Sequence, residues 1–211
     1  MSIYWDDRFR QEGMIWGDIP SQTTAWATEW FERYQVHSVL VPGAGYGRNT
    51  KALSSVFHVD AIELSPEAAA LGREWDPKTR FIQGSVLDMP LGSQCYDGIY
   101  AYDVLHLFIL EDRERMISSC RKHLKPAGLL YFTVFSDQDE NCGRGREIEP
   151  GTYEYKADKY AHFFTDMDLR EHFKGMDILE TGSFPELLNY LDGTSHTYHL
   201  RYIVAQKSIR T

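Results

Sequence analysis

The sequence is poor in cysteine, with three in 211 residues. Cys95, Cys120 and Cys142 are far apart, and none forms a Cys-x-x-Cys pair. That spacing offers neither a disulfide framework nor a zinc site, and it leaves reduced thiols used as small side chains. Lysine and arginine never form a run, and the formal net charge is −9. A phosphate backbone would be repelled, which excludes nucleic acid as a partner. No apolar stretch approaches the roughly 18 residues that a spanning helix needs, so no membrane partner is expected. The opening MSIYWDDRFRQEG lacks a basic segment followed by an apolar one, and a cytoplasmic location is expected from it.

What the sequence does have is an ordinary globular balance, 43% apolar and 25% charged, in a length suited to one large domain. Its middle alternates strand-like and helix-like segments. That alternation predicts an α/β fold with a doubly wound, mostly parallel sheet of about seven strands and helices on both faces. Thr23 to Tyr34 reads as a helix, SVLV (38–41) as the first buried strand, and residues 47–56 as a helix. VDAIEL is the second strand, and Ser65 with Pro66 marks a helix start. RFIQGSV and YDGIYAY follow as strands, then the periodic helix LEDRERMISSCRKHL, punctuated by KPAG, and the strand LLYFTVF. Residues 136–158 are polar and without period. A short helix capped by Thr165 and two terminal strands close the chain, and no linker or repeat divides it.

The chemistry concentrates in VLVPGAGYGRNT, where a strand runs into Gly43, Gly45 and Gly47. Glycines there let the chain turn tightly and let a ligand lie against the backbone. Glu63, at the end of the next strand, can accept hydrogen bonds from both hydroxyls of an adenosine ribose. A dinucleotide site would want its third glycine at position 48, which is arginine, so a nicotinamide-dependent oxidoreductase is the weaker alternative.

In their order and spacing, VLVPGAGYGRNT, AIELSPEA, FIQGSVLDMPL, YDGIYAYDVLHLF and LKPAGLLYF resemble the class I S-adenosylmethionine (SAM)-dependent methyltransferases. The resemblance implies a Rossmann-like methyltransferase fold with SAM as cofactor, and it assigns sites residue by residue. Gly43, Ala44 and Gly45 would lie along the methionine and ribose, Glu63 would bind the ribose, and Leu64 would cover an adenine face. Ser85, Val86 and Leu87 would border the adenine, with Asp88 in reserve because Ser85 and Leu87 replace the usual acidic or amide side chains. The Ala101 carbonyl would accept the methionine ammonium.

The N-terminal YWDDRFRQEGMIWGDIPS is similar to the opening of small-molecule thiol, thiopurine and tellurite-resistance methyltransferases. It suggests a cap over residues 1–22, with Trp16 covering the cofactor and Tyr4 and Trp5 beside the acceptor. A stretch at 136–164 resembles a substrate lid. Its Tyr153, Tyr155, Tyr160, His162 and Phe163 would suit a flat or apolar acceptor, or would simply pack a hairpin.

The expected activity is methyl transfer to a small molecule, a thiol or other soft nucleophile before others. The reaction needs alignment and desolvation more than a nucleophilic residue. Where the acceptor must lose a proton, His106 and then Asp103 are the candidate bases. His196 and His199, three apart on a strand, face opposite ways, and no metal is expected. A non-catalytic SAM-binding module is the remaining alternative.

Overall fold

The computed structural model describes residues 2–190 and 193–209. Helices α1 (Ser2–Glu12) and α2 (Thr23–Arg33) precede the alternating core: β1 (Ser38–Pro42), α3 (Thr50–Leu53), β2 (His58–Glu63), α4 (Pro66–Trp75), β3 (Arg80–Gln83), β4 (Tyr96–Tyr102), α5 (Leu110–Lys122) and β5 (Leu124–Phe135). Three short strands follow, β6 (Arg146–Glu149), β7 (Thr152–Lys156) and β8 (Lys159–His162). After them come α6 (Asp166–His172), β9 (Asp177–Asn189) and β10 (Ser195–Gln206).

The main sheet has seven strands in the order β3-β2-β1-β4-β5-β10-β9. Strands β1 to β5 are parallel, and β10 inserts antiparallel between β5 and β9. Alternate residues of each strand feed two separate cores, as the period of two requires. Leu40, Ile99 and Phe132 face Met116, Ile117 and Cys120 of α5, Leu169 of α6 and Phe173 just after it. Val39, Val41 and Tyr131 face Ala27 and Phe31 of α2 and Leu53 of α3. Helices therefore cover both faces, which is the doubly wound architecture.

Local chemistry fixes the elements. Arg113, Met116, Ile117 and Cys120 are the buried face of α5 at helical spacing, with acids in its first turn and bases in its last. Ser65 Oγ accepts from the Ala68 amide, with Pro66 in the first turn of α4, and Thr165 Oγ1 does the same for Asp168 at α6.

Three expectations are corrected. The helix expected over 47–56 is one turn, α3, because Gly47 sits at φ +85° and holds its start in a turn. KPAG does not merely end α5; it lies within β5, irregular at Ala127 with φ +60°. Residues 136–158, expected to be without period, carry β6 and β7, which pair with β8 in a three-stranded antiparallel sheet.

Strand order reverses between β1 and β4, whose following segments leave toward opposite faces. Open α/β sheets bind ligands at that switch point, beyond the strands' C-terminal ends.

Candidate active site

The cavity of about 720 Å³ opens at this switch point and lies within the range of small-molecule sites, roughly 300–1,000 Å³. One end is built by the turn after β1. Gly43, Gly45 and Gly47 adopt φ of +70°, +56° and +85°, which L side chains rarely tolerate. At Gly43 a Cβ would stand 2.7 Å from Val104 Cγ2, so the turn lies directly on the segment after β4.

Glu63 ends β2 and lines the same end. The amides of Gly45 and Ser65 each donate to one of its oxygens at 2.8 Å, which leaves a lone pair on each. Burial raises its pKa, and these backbone bonds oppose the shift. Leu64, Ser85, Val86 and Leu87 continue the wall. The residues fit a nucleoside: a fixed carboxylate for a ribose, an apolar slot for a base, and a backbone floor free of side chains.

The N-terminal segment covers this end. Asp6 Oδ1 accepts from Ser65 Oγ at 2.7 Å and from the Glu67 amide at 3.3 Å, which ties α1 to the start of α4. Tyr46 does the second fastening: it accepts from the Trp16 amide and donates to the Gly17 carbonyl at 2.7 Å. Trp16 stacks on Tyr46, and Trp5 lies 6.1 Å from Trp16. Tyr4, Trp5 and Trp16 all line the cavity.

The other end is aromatic. Phe135, Phe163, Tyr155, Tyr190 and Tyr198 line it with Asn141 and Arg144. Phe135 is stacked between His106, at 3.7 Å and 13°, and Tyr198, at 5.3 Å and 7°. His106 is buried and its Nδ1 has no hydrogen-bond partner. Burial, helped by the nearby His162, pulls its pKa down to about 3. Asp103 lines the cavity at φ +51°, a strained backbone for an aspartate. Thr133 donates to its carboxyl at 2.9 Å, yet burial, together with the Glu186 charge, pushes its pKa up to about 7.

The structure gathers Gly43, Ala44, Gly45, Glu63, Leu64, Ser85, Val86, Leu87, Asp103, His106, Tyr4, Trp5, Trp16 and Tyr155 around one cavity. Five expected residues lie off it, Tyr160 of β8 among them. Ala101 is fully buried within β4, paired in register with Phe132, and the wall begins at Tyr102. Asp88 bridges to Ser85 instead. Tyr153 packs edge-on against Phe163.

His162 is turned into a buried network, its Nε2 2.7 Å from Asp168 and its Nδ1 2.7 Å from Thr152 Oγ1. His172 completes the group: it accepts from Arg113 Nε at 3.0 Å. Arg113 also pairs with Glu149 at 2.9 Å. His162, Asp168 and His172 have the spacing of metal ligands, but their atoms are already bonded, and the Arg113 cation beside them disfavours another. The network fastens β6-β7-β8 to α5 and α6.

Sequence reasoning passed over Tyr46, Tyr102, Phe135, Tyr190 and Tyr198, whose aromatic character reads equally as core. It noted Arg48 only as a missing glycine.

The decisive comparison concerns the glycine turn and the strands around it: residues 40–132 match the family model described as a methyltransferase domain. Over those residues the chain is similar to a methyltransferase domain.

Solved structures share the fold of this chain well beyond that segment. One, reported for the conversion of a disulfide bond into a thioacetal group during echinomycin biosynthesis, has a TM-score of 0.78 at 14% identity, covering 100% of this chain and 93% of that one. TehB from Haemophilus influenzae gives 0.66 at 16%, covering 87% of this chain and 62% of its own. The 1,6-didemethyltoxoflavin-N1-methyltransferase of Burkholderia thailandensis, solved with 1,6-didemethyltoxoflavin and S-adenosylhomocysteine (SAH), gives 0.63 at 23%, covering 89% and 79%. No curated protein matches the chain in sequence.

Proposed function

We propose that this chain moves the methyl group of SAM to a small, largely apolar acceptor held at the aromatic end of the cavity, with a thiol or other soft nucleophile favoured. The observation that carries the reading is the continuity of one cavity. The glycine turn and Glu63 form one end, and the ring stack around Phe135 forms the other. Two proteins of similar fold support a small acceptor, one named for chemistry at a disulfide and one for the N1 position of 1,6-didemethyltoxoflavin.

In this reading Gly43, Ala44 and Gly45 carry the methionine and ribose, Glu63 takes the ribose hydroxyls, and Leu64 with Ser85, Val86 and Leu87 encloses the adenine. Residues 1–22, through Trp16, cap the cofactor. Residues 136–164 act as the lid, and Tyr4, Trp5 and Tyr155 stand beside the acceptor. SAM supplies an activated methyl on a sulfonium. A lone pair of the acceptor forms the new bond to carbon, the carbon–sulfur pair stays on sulfur, and SAH leaves. The protein aligns the two partners and excludes water.

A thiolate acceptor needs no base. For an acceptor that keeps its proton, Asp103 suits the task better than His106, because a pKa of about 7 matches neutral conditions and one of about 3 leaves the imidazole a weak acceptor.

Calorimetric titration with SAH, in parallel with NAD, tests the proposal. Micromolar SAH binding without NAD binding is the expected result, and NAD binding without SAH binding overturns it. Glu63→Ala should weaken SAH binding by about 1–3 kcal/mol through lost charge-assisted hydrogen bonds; an unchanged affinity refutes the ribose assignment.

A further inference from the structure

Arg48 has no part in the transfer described above, yet it stands in the cavity wall. It is 8% exposed, and its guanidinium keeps its charge at any physiological pH. The buried Arg113 is paired with Glu149 at 2.9 Å, and the half-buried Arg201 with Asp137 at 2.7 Å. Among the described residues Arg48 has no carboxylate at ion-pair distance. Its Nη1 donates to the Ile19 carbonyl over a long 3.4 Å, and its plane lies 5.2 Å from the Tyr102 ring. Its five N–H donors are thus met by one long carbonyl contact and by the Tyr102 side chain, through a hydrogen bond and its ring face, with no carboxylate among them. A buried cation left in this state is costly unless something in the cavity completes it.

The nearby acids are engaged elsewhere. Asp103 accepts from Thr133 at 2.9 Å, and Glu186 accepts from Gln22 at 3.0 Å and from Tyr102 at 3.4 Å. Their presence also sets the charge of what Arg48 can take. A dianion such as phosphate would meet two acidic side chains, whereas a single planar negative group fits one guanidinium fork.

We infer that Arg48 binds the carboxylate group of a ligand lying in this cavity. The inference rests on the methyltransferase reading, in which two ligands share the cavity. The carboxylate belongs either to the amino-acid end of the cofactor or to the acceptor, and the same chemistry serves both.

Arg48→Met keeps the apolar stem and removes the charge. Its affinities for SAH, for 5′-methylthioadenosine, which lacks the amino-acid part, and for benzoate in the presence of SAH are compared with wild type by calorimetry. If the cofactor is the source, SAH weakens by about tenfold or more while 5′-methylthioadenosine stays within about twofold. If the acceptor is the source, SAH is unchanged, and benzoate binds the SAH-loaded wild type but is weakened by about tenfold or more in the variant.

Equal weakening of SAH and 5′-methylthioadenosine overturns the inference, since it means that Arg48 only holds the N-terminal segment through Ile19. So does a variant that matches wild type for all three probes. Arg48→Lys, which retains a point charge, should recover part of the affinity, and it carries the same readouts if the methionine variant does not fold. A wild type that binds neither SAH nor 5′-methylthioadenosine is a different result. It overturns the cofactor reading, and benzoate binding to the free protein, with and without Arg48, then decides the inference.

Discussion

At Gly43 the missing side chain is a requirement twice over, for φ +70° and for a contact that a Cβ would make at 2.7 Å with Val104. Gly43→Ala should therefore cost about 1–3 kcal/mol of stability and weaken SAH binding, read by chemical denaturation and calorimetry; wild-type values in both would remove the turn from the site. Two ionisable residues of the cavity act on stability in opposite senses. His106 titrates near 3 when folded and 6.5 when not, so its contribution is present above about pH 6.5 and is lost as pH falls toward 3. Asp103 titrates near 7 when folded against 3.8, so its contribution is present below 3.8 and is lost as pH rises through 7. His106→Phe should flatten the acid side of a stability–pH profile, and Asp103→Asn should raise the thermal midpoint above pH 7. Glu63 was legible from its place at a strand end. Arg48 was not, because a lone arginine after glycines carries no pattern until its partners are seen to be absent.

The elements most legible in the sequence were those with strong period or punctuation, such as α5 with its buried 113/116/117/120 face and the caps at Ser65 and Thr165. Those decided by tertiary contacts were not. The sheet β6-β7-β8 is held by polar groups from five segments meeting at Arg113 and Thr152, and no local pattern marks such a meeting. His162 illustrates the consequence: its aromatic neighbours suggested a ligand-facing residue, while Thr152 and Asp168 hold it in the fastening. Thr152→Val removes the hydroxyl that lies 2.8 Å from Glu149 and 2.7 Å from His162. It should cost about 1–3 kcal/mol and speed amide exchange in β6 to β8 while leaving SAH affinity within about twofold; uniform exchange change across the main sheet would contradict this local role.

For the whole molecule, one cavity joins the parallel core, the N-terminal segment and the small sheet, so filling it couples all three. SAH at about 100 times its dissociation constant should add about 2.7 kcal/mol to stability. For a chain of this size that is a rise of roughly 5–11 °C in the thermal midpoint, and calorimetric scans at two ligand concentrations check it. The alternation of strands and helices made the architecture readable because parallel sheets buried on both faces demand long apolar strands. The acceptor end was less readable because its residues come from β5, β7, β10 and the segments just after β5, β8 and β9, far apart in sequence and joined only by the fold.

The tryptophans are divided between the two halves of this design. Trp26, Trp30 and Trp75 pack away from the cavity, against Phe184, Tyr34 and Lys51. Trp5 and Trp16 line the cavity with their rings 6.1 Å apart and inclined at 54°. Indoles at that distance and angle couple their electronic transitions, so the pair has a near-ultraviolet dichroic signal of its own. A change in the position of α1 should therefore alter that signal, which near-ultraviolet circular dichroism with and without SAH would read.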